Sequence, residues 1–411
     1  MEKITNPQLA DLDKRTAEFY KLSHRYFNNL HNLHGRNVYK KELLAILDKA
    51  ECTKPESKFE GLVLKNIKSN LSLNDVVIDY FSDPNFPLSV KEFFERIGGQ
   101  GSWGHIEKTF KSPPYEDMWK HQEMTQEKYG RLVSPFSAES QNSAAECLPR
   151  IKDEVLKHGI REGLLPKDFD FRLLLLPPRE GRDESSWNSS TGVFSLGSYG
   201  FEFYPKEGKI MAVPTKAYMV AFHEILGHGA HQIHSNEMPC STRFTEEIGG
   251  ITPTKSVTEG VAIISEERGL DFLSERTEEL GLTKEDLEIL RLEKKLNNCA
   301  LHESMYWSLL KDMESREKVD MYDHFLKLTG NPIVARSAKE YSKDRFGDVW
   351  RSIGHTLGKR HYALMEDRVG QEFGEEYLIR EKDRIRRASL KGVWSWEVYP
   401  EAVCYFLRGD R

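Results

Sequence analysis

The chain lacks most of the features that assign a sequence quickly to a class. It has five cysteines, Cys52, Cys147, Cys240, Cys299 and Cys404, an odd number with no C-x-x-C pair. Scattered thiols of this kind belong to a reduced, intracellular protein rather than to a disulfide framework. No run of 18 apolar residues occurs, so no membrane-spanning helix is expected. The first residues, Met1-Glu2-Lys3-Ile4-Thr5-Asn6-Pro7, show no basic region followed by an apolar stretch, and a cytoplasmic location is expected. Neither sign of charge dominates. The net charge is −6, which argues against a general binder of nucleic acid or anionic membranes. Gly98-Gly99-Gln100-Gly101-Ser102-Trp103-Gly104 lacks the G-K-[ST] ending of a phosphate loop and reads as a plain loop. Ser195 is not in a G-x-S-x-G turn, so a serine nucleophile carries little weight. Internal repeats and low-complexity segments are missing too.

What is present is helical periodicity. The 411 residues, 38% of them hydrophobic, suffice for two domains or one large one with a sizeable core. Residues 7–35 read as one amphipathic helix, with Leu9, Leu12, Phe19, Leu22, Tyr26 and Leu30 at three- and four-residue steps. Further helices are expected over 39–50, 57–70, 89–97, 114–130 and 138–163. Residues 169–176 read as a buried strand, followed by a Ser/Asn/Gly-rich stretch over 185–192 and short strands over 193–196, 200–204 and 210–213. From 255 onward the pattern is helical again: 255–277, 283–313 with a Thr283/Asp286 capping signal, 317–329, 334–373 with a break, and 375–390. The charged run 380–387 reads as surface.

The strongest chemical signal opens the helix after the last strand: His223-Glu224-Ile225-Leu226-Gly227-His228, continuing Gly229-Ala230-His231-Gln232-Ile233-His234. Two imidazoles and a carboxylate within six residues can hold Zn²⁺ and activate water. The two histidines are at i and i+5. In a regular helix these lie about 140° apart, whereas i and i+4 lie about 40° apart. The rings converge only if one extra residue is bulged out of the helix, a distortion found mostly at functional sites. Gly227 is the residue best suited to absorb it.

This run resembles the H-E-x-x-G-H zinc helix of dipeptidyl peptidase III, which carries the same extra residue relative to the H-E-x-x-H of other zincins. The chain also resembles a large bacterial and archaeal family of zincin-like proteins with signatures near H-E-x-x-P-G-H-H-x-Q and E-G-W-A-x-Y-x-E. Here Glu259, Gly260, Ala262 and Glu266 match the second signature, while its Trp and Tyr and the Pro of the first are missing. Ser352-Ile353-Gly354-His355-Thr356-Leu357-Gly358 is similar to a C-terminal segment of that family and of the carboxypeptidase Taq family. The resemblance covers roughly residues 185–403. It implies a mainly α protein with a small β-sheet and zincin-like architecture. Residues 1–165 would form a helical cleft wall, and 166–411 the catalytic region.

On that resemblance one Zn²⁺ per chain is held by His223, His228 and Glu259, with Glu246, Glu247 and Glu266 as rival carboxylates. Glu266, seven residues after Glu259, suits a role behind the ligands. His231 is a rival second ligand or a partner of one, and with His234 reads more simply as a helix-end histidine. Glu224 is the expected general base. His355 is the first candidate for stabilising the oxyanion, with Tyr362 and Tyr341 as alternatives; each also reads as a packed or surface aromatic. Arg345, Arg351 and Arg360 are candidates for a substrate carboxylate, though most charges there must be solvated. Co²⁺ or Mn²⁺ would suit the same donors. The expected function is a zinc-dependent metallopeptidase, a carboxypeptidase or oligopeptidase, acting on short peptides. The alternatives are a metal-dependent amidohydrolase acting on a small non-peptide amide and an inert peptide- or partner-binding protein. A homodimer stays open.

Overall fold

The computed structural model describes residues 3–27, 33–83, 86–111, 114–177, 185–188, 190–245, 253–309, 321–329, 335 and 349–409. Within them the protein is mainly helical with a small β component. The N-terminal helices are α1 Pro7–Phe27, α2 Leu33–Cys52, α3 Lys58–Ser82, α4 Val90–Gly98, α5 Ser102–Lys111, α6 Tyr115–Tyr129 and α7 Ala138–Arg161. Strands β1 Arg172–Leu176, β2 Ser186–Asn188, β3 Val193–Gly197, β4 Glu202–Lys206 and β5 Lys209–Val213 follow. The next helix runs as α8 Thr215–Ala221, a π-helical segment Phe222–Gly229, and α9 Ala230–Ser235. The remainder is α10 Lys255–Ser274, α11 Thr277–Leu280, α12 Lys284–Leu309, α13 Met321–Thr329, α14 Val349–Phe373, α15 Glu375–Arg380, α16 Lys382–Ser389 and α17 Tyr399–Gly409.

Several boundaries follow from local chemistry. Ser57 caps α3 by accepting from Glu60 N–H at 3.1 Å, and Ser89 and Glu92 form a capping box on α4. Thr283 and Asp286 bond reciprocally, at 2.7 and 3.2 Å, where the sequence signals a helix start. The helix expected over 7–35 instead ends at Phe27, and α2 begins at Leu33. Only Gly99–Gly101 form the loop between α4 and α5, with Gly99 and Gly101 at positive φ.

The strands make two sheets rather than one. The first has the order β1-β3-β2, with β1 parallel and β2 antiparallel to β3. The second is the β4–β5 hairpin. The central strand β3 buries Phe194 and Leu196. The strand expected to be buried, β1, is an edge strand and leaves Leu174 39% exposed. The other edge, β2, lies in the stretch that reads as a loop; Trp187 holds it in place by packing edge-on against Phe171.

One apolar core runs from Leu9 to Leu407, so residues 1–165 and 166–411 both feed it. Polar links join them as well. Asp13 on α1 accepts from the N–H groups of Cys240 and Ser241 at 2.7 and 2.9 Å, just beyond α9. At the centre lies α10, buried on most of its faces. The π segment packs on one side of it and α14 on another, and both approaches depend on missing side chains. A Cβ on Gly227 would lie 2.5 Å from Ala262 Cα, and one on Gly260 would lie 2.4 Å from Gly358 O. Backbone contact of this kind fixes the three segments at a shorter separation than side chains allow.

Gly260→Ala should therefore destabilise the protein by about 1–3 kcal/mol through overpacking. Gly104→Ala, where a Cβ meets nothing within 4 Å, should leave it unchanged or slightly more stable. Thermal unfolding of the two variants beside the wild type checks this, and a Gly260→Ala midpoint equal to the wild type would refute the close-packing account.

Candidate metal centre

The i and i+5 histidines meet because the helix changes its winding. Phe222–Gly229 is π-helical, its backbone hydrogen bonds spanning five residues where those of an α-helix span four. The register change is visible at Ala230, whose N–H donates to Ile225 O and Gly227 O and passes over Leu226 O, its partner in a regular helix. The His223 and His228 rings stand with centroids 4.9 Å apart and planes at 84°.

From α10 the Glu259 carboxylate reaches both rings. Its Oε2 is 3.4 Å from His223 Nε2 and its Oε1 is 3.5 Å from His228 Nε2. Zinc bonds of about 2.0–2.1 Å in a tetrahedron put neighbouring donor atoms about 3.3 Å apart. Each imidazole nitrogen thus stands at about that separation from one Glu259 oxygen, and one donor atom from each of the three residues lies within 4.8 Å of the others. Glu259 is 1% exposed, and its Oε2 is buried with no hydrogen bond of good geometry, as is His228 Nδ1. Among the described residues, His223, His228 and Glu259 are the group able to hold a metal.

The surroundings orient these donors. His223 Nδ1 is 2.6 Å from Glu266 Oε1; a contact that short to a carboxylate requires the proton on Nδ1, which turns Nε2 toward Glu259. Lys294 on α12 pairs with the other oxygen of Glu266, and Lys255, one turn before Glu259, pairs with Glu259 Oε1. Phe244 stacks on the His228 ring at 5.7 Å. Glu224 points to the strand edge, where its Oε2 accepts from the Trp187 N–H at 3.1 Å. His355, on α14, has Nδ1 3.2 Å from Glu259 Oε2.

Burial opposes charge on Glu259, but the charges of His355 and Lys255 and bonds from His223 and His228 outweigh it and hold the carboxyl well below its usual range. Glu266 is lowered too, as Lys294 and His223 overcome its burial. Burial likewise favours a neutral His223, yet its bonds to Glu259 and Glu266 raise it well above the ordinary imidazole value.

Other expected residues lie elsewhere. Tyr362 is on the same face of α14 as His355 but two turns on, and that face descends into the core; it is 1% exposed beside Tyr399 and Arg386 and is not at the site. His231 is no ligand, because its Nε2 pairs with Gly392 O at 2.9 Å, and burial pushes its pKa down to about 4. His234 pairs with Leu164 O at 3.1 Å. The Arg360 guanidinium donates to Gln100 O in the glycine loop. Glu246, Glu247, Tyr341 and Arg345, and the side chain of Arg351, lie outside the described residues. The 380–387 run is not all surface: Arg386 is 1% exposed. Sequence reasoning missed Lys255, Trp187, Phe244 and Lys294. Lys255 alone had a signal, its i, i+4 spacing to Glu259. A cavity of about 670 Å³, lined by Lys108, Glu267, Arg291 and His302 among others, counts among its lining Lys294, the partner of Glu266.

No protein-family model matches this chain, and no curated protein matches it. Among solved structures, one described as a "putative lipoprotein" from Colwellia psychrerythraea aligns over 98% of this chain and 75% of its own, with 13% identity and a TM-score of 0.49.

The raised pKa of His223 gives the metal-free protein a defined pH response. Its contribution to stability is fully present below the ordinary imidazole value of about 6.5 and is lost as pH rises through the raised value. In the presence of a chelator, the His223 ring followed by NMR should titrate above 6.5, and Glu266→Gln should lower its midpoint. A ring titrating below 6.5 would contradict the charge arrangement described.

Proposed function

We propose that this protein is a zinc-dependent hydrolase that cleaves short peptides with water as the nucleophile. The observation that carries the reading is the convergence of His223, His228 and Glu259, reached through a π-helical segment that also carries Glu224. A chance cluster of helix residues has no need of that distortion, which is uncommon and concentrated at functional sites.

The chain's own residues divide the work. Bound zinc would supply Lewis acidity and bring the pKa of a bound water toward about 7. Glu224 follows His223 directly, and its carboxylate accepts the proton of the attacking water and returns it to the leaving amine. The Trp187 N–H restrains that carboxylate. His355 stands beside Glu259 and donates to the oxyanion that develops on the substrate carbonyl. Glu266, backed by Lys294, keeps His223 in the tautomer that presents Nε2. The same proposal places the enzyme in the cytoplasm. None of the five cysteines is joined in a disulfide, and no described helix is long and apolar enough to cross a membrane.

Elemental analysis of the purified protein should find about one zinc per chain in the wild type and none in Glu259→Ala. Glu224→Gln should keep the metal and lose at least about 100-fold in turnover of a peptide library. Wild-type protein that takes up no zinc on reconstitution would sink the proposal.

A further inference from the structure

The α10 helix supplies Glu259 and Glu266 on one part of its surface, and on another it presents Ser265 to the back of the π segment. The Ser265 hydroxyl lies 3.1 Å from Leu226 O and 2.9 Å from Val261 O, its own i−4 carbonyl. Leu226 O is the acceptor that the Ala230 N–H passes over. A hydroxyl has one proton to give. Which carbonyl receives it depends on what else the oxygen is bonded to.

That other partner is Arg386. Its Nη2 donates to Ser265 Oγ at 3.0 Å, from α16. The guanidinium is 1% exposed, and its nearest carboxylate, Glu162, stands 3.8 Å from Nη1, which has no hydrogen bond. Burial pushes its pKa down to about 10, with the neighbouring Arg268 adding to the effect. A buried arginine this poorly neutralised carries a desolvation cost that its one distant carboxylate does not offset. Its donation to Ser265 fills a lone pair of that oxygen and leaves the hydroxyl proton to be shared between Leu226 O and Val261 O.

We infer that Arg386 and Ser265 are positioning residues that hold the π segment in its wound state by giving Leu226 O a donor from outside the helix. Without that donor, Leu226 O regains the Ala230 N–H as its best partner. The helix then returns toward α winding, and His228 rotates away from His223. The contact lies two residues before His228, on the side of the segment turned to α10. This role rests on the metal-centre reading for its purpose, but the winding itself is a property of the chain.

The test uses Ser265→Ala, a truncation too small to threaten folding, beside Arg386→Met and the double variant. Two quantities are read: zinc affinity by competition with a chelating dye, and amide hydrogen exchange of peptides covering 222–231 in metal-free protein. In Ser265→Ala, zinc should bind about 10–100-fold more weakly. Exchange should change within 222–231, slowing at Ala230 as its N–H regains Leu226 O, and stay the same in α12. The double variant should lose about as much as Ser265→Ala alone, because the two residues act in series. Wild-type affinity and unchanged exchange in Ser265→Ala would overturn the inference while leaving the metal centre standing. If the wild type binds no zinc, the functional proposal fails and the exchange measurement still decides this one.

Discussion

The contact on which the rest of the molecule depends is the backbone-to-backbone approach of α10 to its two neighbours. Gly260 and Gly358 on one side, and Gly227 and Ala262 on the other, leave no room for a further carbon atom. Three separate stretches of chain are thereby held at one depth: the π segment with His223 and His228, α10 with Glu259 and Glu266, and α14 with His355. A side chain can span a few ångströms of error in helix placement, but three donors meeting at one point cannot. The glycines move this accuracy from flexible side chains to rigid backbone.

Within that frame the electrostatics form a closed arrangement. Glu259 is sealed from water and Glu266 is largely buried, a state that carboxylates do not tolerate alone. Each is matched from two sides. Glu259 faces Lys255 on its own helix and histidines on the π segment and α14; Glu266 faces His223 and Lys294. The cations come from different elements, so the charge balance exists only when α10, α12, α14 and the π segment are assembled. Docking of the helices and organisation of the centre are therefore one event.

Most helices and four of the five strands could be read from the sequence because their apolar periodicity is strong and their caps are explicit, as at Thr283 and Asp286. The extra residue in the histidine run also announced its own consequence, since i and i+5 donors cannot converge on a regular helix. What escaped reading was decided by tertiary contact. Strand β2 is built from Ser186, Trp187 and Asn188, whose composition signals a loop, and only β3 and the aromatic packing of Trp187 make it a strand. Arg386 sits in a run of charges yet faces inward, because Ile385, Ala388 and Ser389 of α16 are buried around it. Tyr362 shares its helix face with His355, and spacing alone could not say at which turn that face leaves the site for the core. The final helix, α17, was not anticipated at all.

The π segment also alters how this chain relates to others. A spacing rule is a statement about helix winding, and it transfers between proteins only while the winding is the same. One inserted residue, absorbed as a single wide turn, preserves the meeting of two side chains in space while erasing the signature written for them in one dimension. A search keyed to fixed intervals will pass over such a chain, and a search keyed to side-chain coordinates will not. Side chains brought together by a π turn are therefore found by their positions in space and missed by their positions in sequence.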